Sequence, residues 1–95
     1  MRVLHYISDI VRYMRTYRQH EIKNLALTYF HKVKDAPSLQ GTEPLRKAAM
    51  LVFLASQEFG VRNVANFLYE ETGVSSPYLF SRANRKRYTD LIYEN

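Results

Sequence analysis

The chain has 95 residues, 46% of them apolar and none of them cysteine, with 14 Lys and Arg against 9 Asp and Glu for a formal charge of +5. That length carries one domain with one core, residues 1–95, and leaves no room for a separate catalytic domain. Without cysteine, disulfides, thiolate zinc sites and thiol catalysis are excluded, while the basic balance favours a polyanionic partner such as nucleic acid.

The charge is uneven: residues 1–36 carry 7 basic and 3 acidic residues, residues 37–74 carry 3 and 4, and residues 75–95 carry 4 and 2. Both ends are basic and the middle is not. The start, MRVLHYISDIVRYMR, is too interrupted by His, Asp and Arg for the apolar stretch of a signal peptide. No run approaches the roughly 20 apolar residues of a membrane span. A soluble, unprocessed, intracellular chain is expected, cytoplasmic or nucleoid-associated, with no membrane partner.

Val3, Ile7, Ile10, Met14 and Tyr17 recur at helical spacing, with Tyr6 and Tyr13 at the edge of the stripe and His5, Ser8, Arg12 and Arg15 opposite. Ile22, Leu25, Ala26, Tyr29, Phe30 and Val33 repeat the spacing in a shifted phase. Thr16 and Gln19 have the form of a capping box, so the helix either stops and restarts near residues 16–20 or continues as one long bent helix. This is an N-terminal helical hairpin, residues 1–36. KDAPSLQGT, residues 34–42, is the clearest loop.

Residues 42–95 form a second helical unit. Thr42 is placed to cap a helix whose first turn holds Glu43 and Pro44, and whose AAMLVFLA run is apolar all round and therefore central and buried. Phe59 and Gly60 end it; Val61, Val64, Ala65, Phe67 and Leu68 make the next helix, closed by Gly73 after Glu70 and Glu71. Ser75 or Ser76 then caps a last helix running from Pro77 to about Tyr93. No segment alternates as a strand does, so the fold class is all-α, a compact bundle of about five helices.

On a continuous helix from Pro77, Leu79, Phe80, Ala83 and Leu91 gather on one side and Tyr78, Arg82, Arg85, Lys86, Thr89 and Tyr93 on the other, with Arg87 outside the basic group. Arg reads guanine edges or grips phosphate, and Ser, Thr and Tyr are ordinary phosphate donors. Ser76, Tyr78, Arg82, Arg85, Lys86 and Thr89 are therefore the expected DNA contacts, and Arg12, Arg15 and Arg18 could extend a phosphate-gripping surface.

Gly73-Val74-Ser75-x-x-Tyr78-Leu79, followed by Ser81 and Arg82, resembles the turn and recognition-helix start of helix-turn-helix regulators, most nearly the AraC type. The resemblance covers roughly residues 64–87. It implies that Gly73 allows the turn, that Val74 and Leu79 pin two helices together, and that residues from Ser75 enter the groove first. Tyr69 stands where the pattern has a small residue at the helix crossing, and the arginine arrives one position late. An alternative register would use Val61 to Tyr69 as the reading helix, with Arg62, Asn63 and Asn66 as readers. Its end at Glu70 and Glu71 would meet phosphates badly. The order of helices from Thr42 is also similar to that in the DNA-binding domain of bacterial replication initiators, whose basic-acidic recognition motif is lacking here.

The expected function is binding of duplex DNA by a transcription or replication regulator or accessory factor. A protein-interaction module using the Tyr6, Tyr13 and Tyr17 surface, or an RNA-binding role, is the alternative. A homodimer through the Val3–Tyr17 stripe competes with packing of that stripe inside the chain. His5, His20 and His31 lack short ligand spacing, and no nucleophilic triad, paired-carboxylate arrangement or phosphate-cradling glycine loop occurs, so neither catalysis nor a metal or cofactor is expected.

Overall fold

Val3, Ile7, Ile10 and Met14 of the first apolar stripe are buried, with Val11 beside them, so the stripe packs inside the chain; Tyr17, expected to continue it, is fully exposed because the first helix ends at Arg12. The computed structural model describes residues 2–94; Met1 and Asn95, the ends of the expected domain, lie outside the described residues. Its elements are α1 (Arg2–Arg12), α2 (Gln19–Val33), a 3₁₀ turn (Pro37–Leu39), α3 (Pro44–Glu58), α4 (Val64–Thr72), α5 (Ser76–Phe80) and α6 (Arg82–Tyr93), with no strand among the described residues. The all-α bundle expected from the periodicities is what the chain forms.

Helices α1 and α2 are separate. Tyr13 N–H and Met14 N–H turn back to the carbonyls of Ile10 and Val11, which tightens the end of α1. The expected capping box does not form: Thr16 Oγ1 accepts from Arg18 N–H, and Gln19 Nε2 donates backward to the carbonyls of Met14 and Arg12. Gln19 thus satisfies the orphan acceptors at the end of α1 rather than the start of its own helix. Arg18 sits 3.2 Å from Glu21 Oε1 and 5.6 Å from the centroid of the Phe59 ring, joining the link to the far end of α3.

Helix α3 is the centre, as its composition predicts. Every residue from Ala48 to Ser56 is buried, and α1, α2, α4 and α5 all pack against it. Its cap is Glu43, not Thr42: Pro44 occupies the first helical position, and the residue before a proline is held extended, here at φ −60° and ψ 141°. At the other end Gly60 takes φ +68°, and the amides of Gly60 and Val61 bond the carbonyls of Gln57 and Ser56 in a Schellman closure. The next helix was expected from Val61 but starts at Val64, because Asn63 is left-handed (φ 61°) and no helix runs through such a residue.

The last helix is not continuous. Leu79 and Tyr88 are both fully buried, yet nine residues at 100° each would set them about 180° apart on an unbroken helix. Extended geometry at Ser81 (φ −61°, ψ 122°) resets the phase. Ser81 Oγ accepts from Asn84 N–H at 3.2 Å, and Asn84 Nδ2 donates to the Tyr78 carbonyl at 3.3 Å, so both broken ends are capped. The core side of α6 is Tyr88 and Ile92; Phe80 and Ala83, expected inward, are exposed.

Helix α6 docks on α2 as well as α5. Lys32 Nζ donates to the Ile92 carbonyl at 3.1 Å, and the hydroxyls of Tyr29 and Tyr93 meet at 3.1 Å, with Tyr93 also donating to Glu58. Deeper in, the Tyr88 and Tyr78 hydroxyls meet at 3.2 Å, and the Arg46 guanidinium lies 5.2 Å from the Tyr78 ring centroid.

Two predictions follow from these packings. Ser56 Oγ is buried in α3 without a hydrogen-bond partner, so Ser56→Ala should raise unfolding free energy by about 1 kcal/mol, read from a urea titration. Burial, then the bond to Tyr93 and the charge of Glu58, push the Tyr29 phenol up; burial, then the bond to Tyr78, push Tyr88 up. Folded-state pKa values above the unfolded value of about 10 mean that stability is unaffected below that pH and falls as pH rises past it. Tyr29→Phe/Tyr88→Phe should flatten the fall in melting temperature between pH 9.5 and 11, those limits being about half a unit below and one above the unfolded pKa.

Candidate nucleic-acid interface

The phase set at Ser81 decides which cations α6 presents. With Tyr88 and Ile92 inward, Arg82, Ala83, Lys86 and Arg87 are all exposed. Three cations therefore surround a side chain small enough to let another surface approach the helix closely. The first acid on this helix is Asp90, so the cationic part is its N-terminal half.

The six residues expected to contact DNA divide into three groups. Arg82 and Lys86 lie four apart on the outward side; Arg82 makes no hydrogen bond among the described residues, and Lys86 Nζ is 3.0 Å from Asp90 Oδ2. An exposed pair of this kind contributes about 0–1 kcal/mol, so Lys86 can exchange Asp90 for a phosphate at small cost. Arg85 and Thr89 are half-buried on the shoulder facing α3: Arg85 donates to Gln57 Oε1 at 3.2 Å with its Nε out of reach of solvent, and the Thr89 hydroxyl turns to the Lys86 carbonyl. Ser76 and Tyr78 lie on α5. Ser75 rather than Ser76 is its cap, accepting from Tyr78 N–H at 3.3 Å, which leaves the Ser76 hydroxyl uncommitted. Tyr78 faces Tyr88 and Arg46, away from the outward stripe of α6. Arg87, set apart in the sequence, is exposed and donates to the Ser38 carbonyl and to Asn84 Oδ1.

The segment expected to hold the turn forms α4, a turn at Gly73 and the short α5. Gly73 takes φ +77° and its amide donates to the Tyr69 carbonyl at 2.8 Å; Val74 and Leu79 are buried. The helix after the turn has only five residues before the break at Ser81, and the long basic helix lies one element further on. Tyr69 is 56% exposed, so its ring does not occupy a helix crossing.

Two depressions flank α4 on the same side. One, of about 650 Å³, lies between the α1–α2 link and α4, with Arg15 and Arg62 among its cations and Glu70 and Glu71 as its acids. The second, of about 340 Å³, runs from Val61 and Asn66 to Ser76 and Phe80, and shares Val61, Asn63, Val64 and Asn66 with the first. Phe80, absent from the expected site, stands 55% exposed among the residues lining this groove, in edge-to-face contact with the Phe53 ring at a centroid distance of 5.1 Å. The signal that would have found it was the phase conflict between Leu79 and Tyr88. Of the arginines in the N-terminal half, Arg12 pairs with Asp9 and Arg18 with Glu21, while Arg15 lines the larger cleft.

The structural and the free cations should separate on mutation. Arg85→Ala leaves Gln57 without its partner and removes a half-buried stem, so it should cost about 1–2 kcal/mol of unfolding free energy; Arg82→Ala should stay within about 0.5 kcal/mol of the parent. Parallel urea titrations of the two variants check this.

Compared with protein-family models, with curated proteins and with solved structures, the chain gives no significant match.

Proposed function

We propose that the chain binds duplex DNA through the N-terminal half of α6 and serves as a transcription or replication regulator or accessory factor. The observation that carries this reading is the exposed arc of Arg82, Lys86 and Arg87 around Ala83, on a helix whose first acid is Asp90. Guanidinium and ammonium groups spaced along one helix face match the repeat of phosphates beside a groove, and Arg82 is uncommitted. Arg85 supports the helix from below rather than reaching outward. Thr89 lies on the inner shoulder and Ser76 in the neighbouring groove, and Tyr78 contributes through the packing of α5.

Arg82→Gln/Lys86→Gln/Arg87→Gln should weaken binding to a 20–30 bp duplex of roughly that length by tenfold or more, and flatten the slope of log K against log salt by about 2–3, with the melting temperature little changed. Fluorescence anisotropy at several salt concentrations reads both quantities. Unchanged affinity and slope in the folded triple variant would sink the assignment.

A second reading, a protein-interaction module, is supported by Tyr13, exposed in the larger cleft with Met14 and Phe67 on its wall, and by the fully exposed Tyr17. Tyrosine is frequent at protein interfaces. Under that reading duplex binding is weak and erased by salt, and Tyr13→Ala/Tyr17→Ala abolishes a stable protein complex without changing the DNA titration.

A further inference from the structure

Helix α5 ends in a ring that the fold does not hide. Phe80 is 55% exposed, but it is not loose: it packs edge-to-face with Phe53, almost entirely buried in α3, at an interplanar angle of 84°. The ring is thereby held on one side while more than half of it remains exposed beside the groove of about 340 Å³. A rigid, half-open aromatic face is a stacking platform for any flat ring brought to it.

What surrounds Phe80 is polar in a particular way. Gln57, Asn63 and Asn66 line the same groove with side-chain amides, and Ser76 adds a hydroxyl. Asn63, Asn66 and the Ser76 hydroxyl make no side-chain hydrogen bond among the described residues, and the Gln57 amide uses only its oxygen, toward Arg85. Each free amide offers a donor pair, an acceptor or both, the complement of a base edge. No carboxylate lines this groove, and two cations adjoin it: Arg85 through its bond to Gln57, and Arg82 two residues beyond Phe80.

From this juxtaposition we infer that the groove between α4 and α5 accepts a single unstacked nucleobase, stacked on Phe80 and bonded at its edge by the amides of Gln57, Asn63 and Asn66, with Arg82 beside the flanking phosphates. The inference rests on the nucleic-acid reading above and adds to it a preference for an unpaired nucleotide over a fully paired duplex. Stacking is tolerant of base identity, so the ring gives the preference for an open base, and the amides supply whatever base selectivity exists.

The test compares a duplex bearing one unpaired nucleotide with the same duplex fully paired, by anisotropy at fixed salt. The parent chain should favour the unpaired form by at least about fivefold, the low end of what one base–aromatic stack contributes. Phe80→Leu, which keeps apolar contact with Phe53 but has no π face, should abolish that preference while leaving affinity for the paired duplex within about twofold. Phe80→Trp should restore it, and thermal melting checks that both variants fold. Equal binding of the two duplexes by the parent, or a preference that survives Phe80→Leu, overturns the base site while the duplex reading stands. Failure of the parent to bind either duplex overturns both.

Discussion

Nine consecutive residues of α3, Ala48 to Ser56, are out of contact with water, and a helix buried all round has to be covered on every side. In a chain of 95 residues that cover can come only from the remaining helices. Helices α1 and α2 supply one side with their apolar stripes, and α4 and α5 supply another. Burying a large aliphatic or aromatic side chain is favourable by about 1.5–3 kcal/mol, which is more than a helix break costs when both ends are capped. The core therefore dictates helix phase, and the local backbone follows.

The consequence is clearest at Ser81. Leu79 is needed under α5 and Tyr88 under α6, and no continuous helix can deliver both. Breaking the helix costs little because Ser81 and Asn84 satisfy the groups released. The same break turns Phe80 outward beside α4 and fixes Arg82, Lys86 and Arg87 on the outer arc, with Arg85 on the inner shoulder. The open ring and the cationic arc thus arise from a single change of phase rather than from two separate features.

Much of the fold was legible in the sequence, and what was missed has a common cause. The stripe from Val3 to Met14, the uniformly apolar α3, the glycine stops at Gly60 and Gly73 and the loop at residues 34–42 are local signals, each carried by residues near one another in the chain. The errors occurred where a residue had two plausible local roles and a distant partner chose between them. Gln19 reads as the last member of a capping box but serves the carbonyls of α1. Ser81 reads as the interior of a helix but is its cap, because Tyr88 has to reach Tyr78. Tyr88 carries no local signal of its burial, since nothing next to it in the chain shows that its hydroxyl has a partner ten residues back. Among the site residues, Arg82 and Lys86 were correctly turned outward by the periodicity alone. Arg85 was not separated from them, because its partner Gln57 lies on another helix.

That separation matters for how charge is used. Arg12 and Arg18 each sit within 4 Å of an acid three residues away, on exposed surface where such pairs are nearly neutral in energy. These pairs reduce the field of the N-terminal half without fixing its structure, so an excess of basic residues there does not amount to a concentrated positive surface. On α6 Lys86 pairs with Asp90 in the same way, but Arg85 and Arg87 are committed to neutral acceptors, Gln57 and the Ser38 carbonyl, which leave their charge uncompensated, and the Arg82 side chain is committed to nothing. Positive potential is thus conserved at the head of α6 even where the donors are occupied. The charge there is carried partly by anchored side chains, Arg85 and Arg87, and partly by Arg82, which is free to reorient.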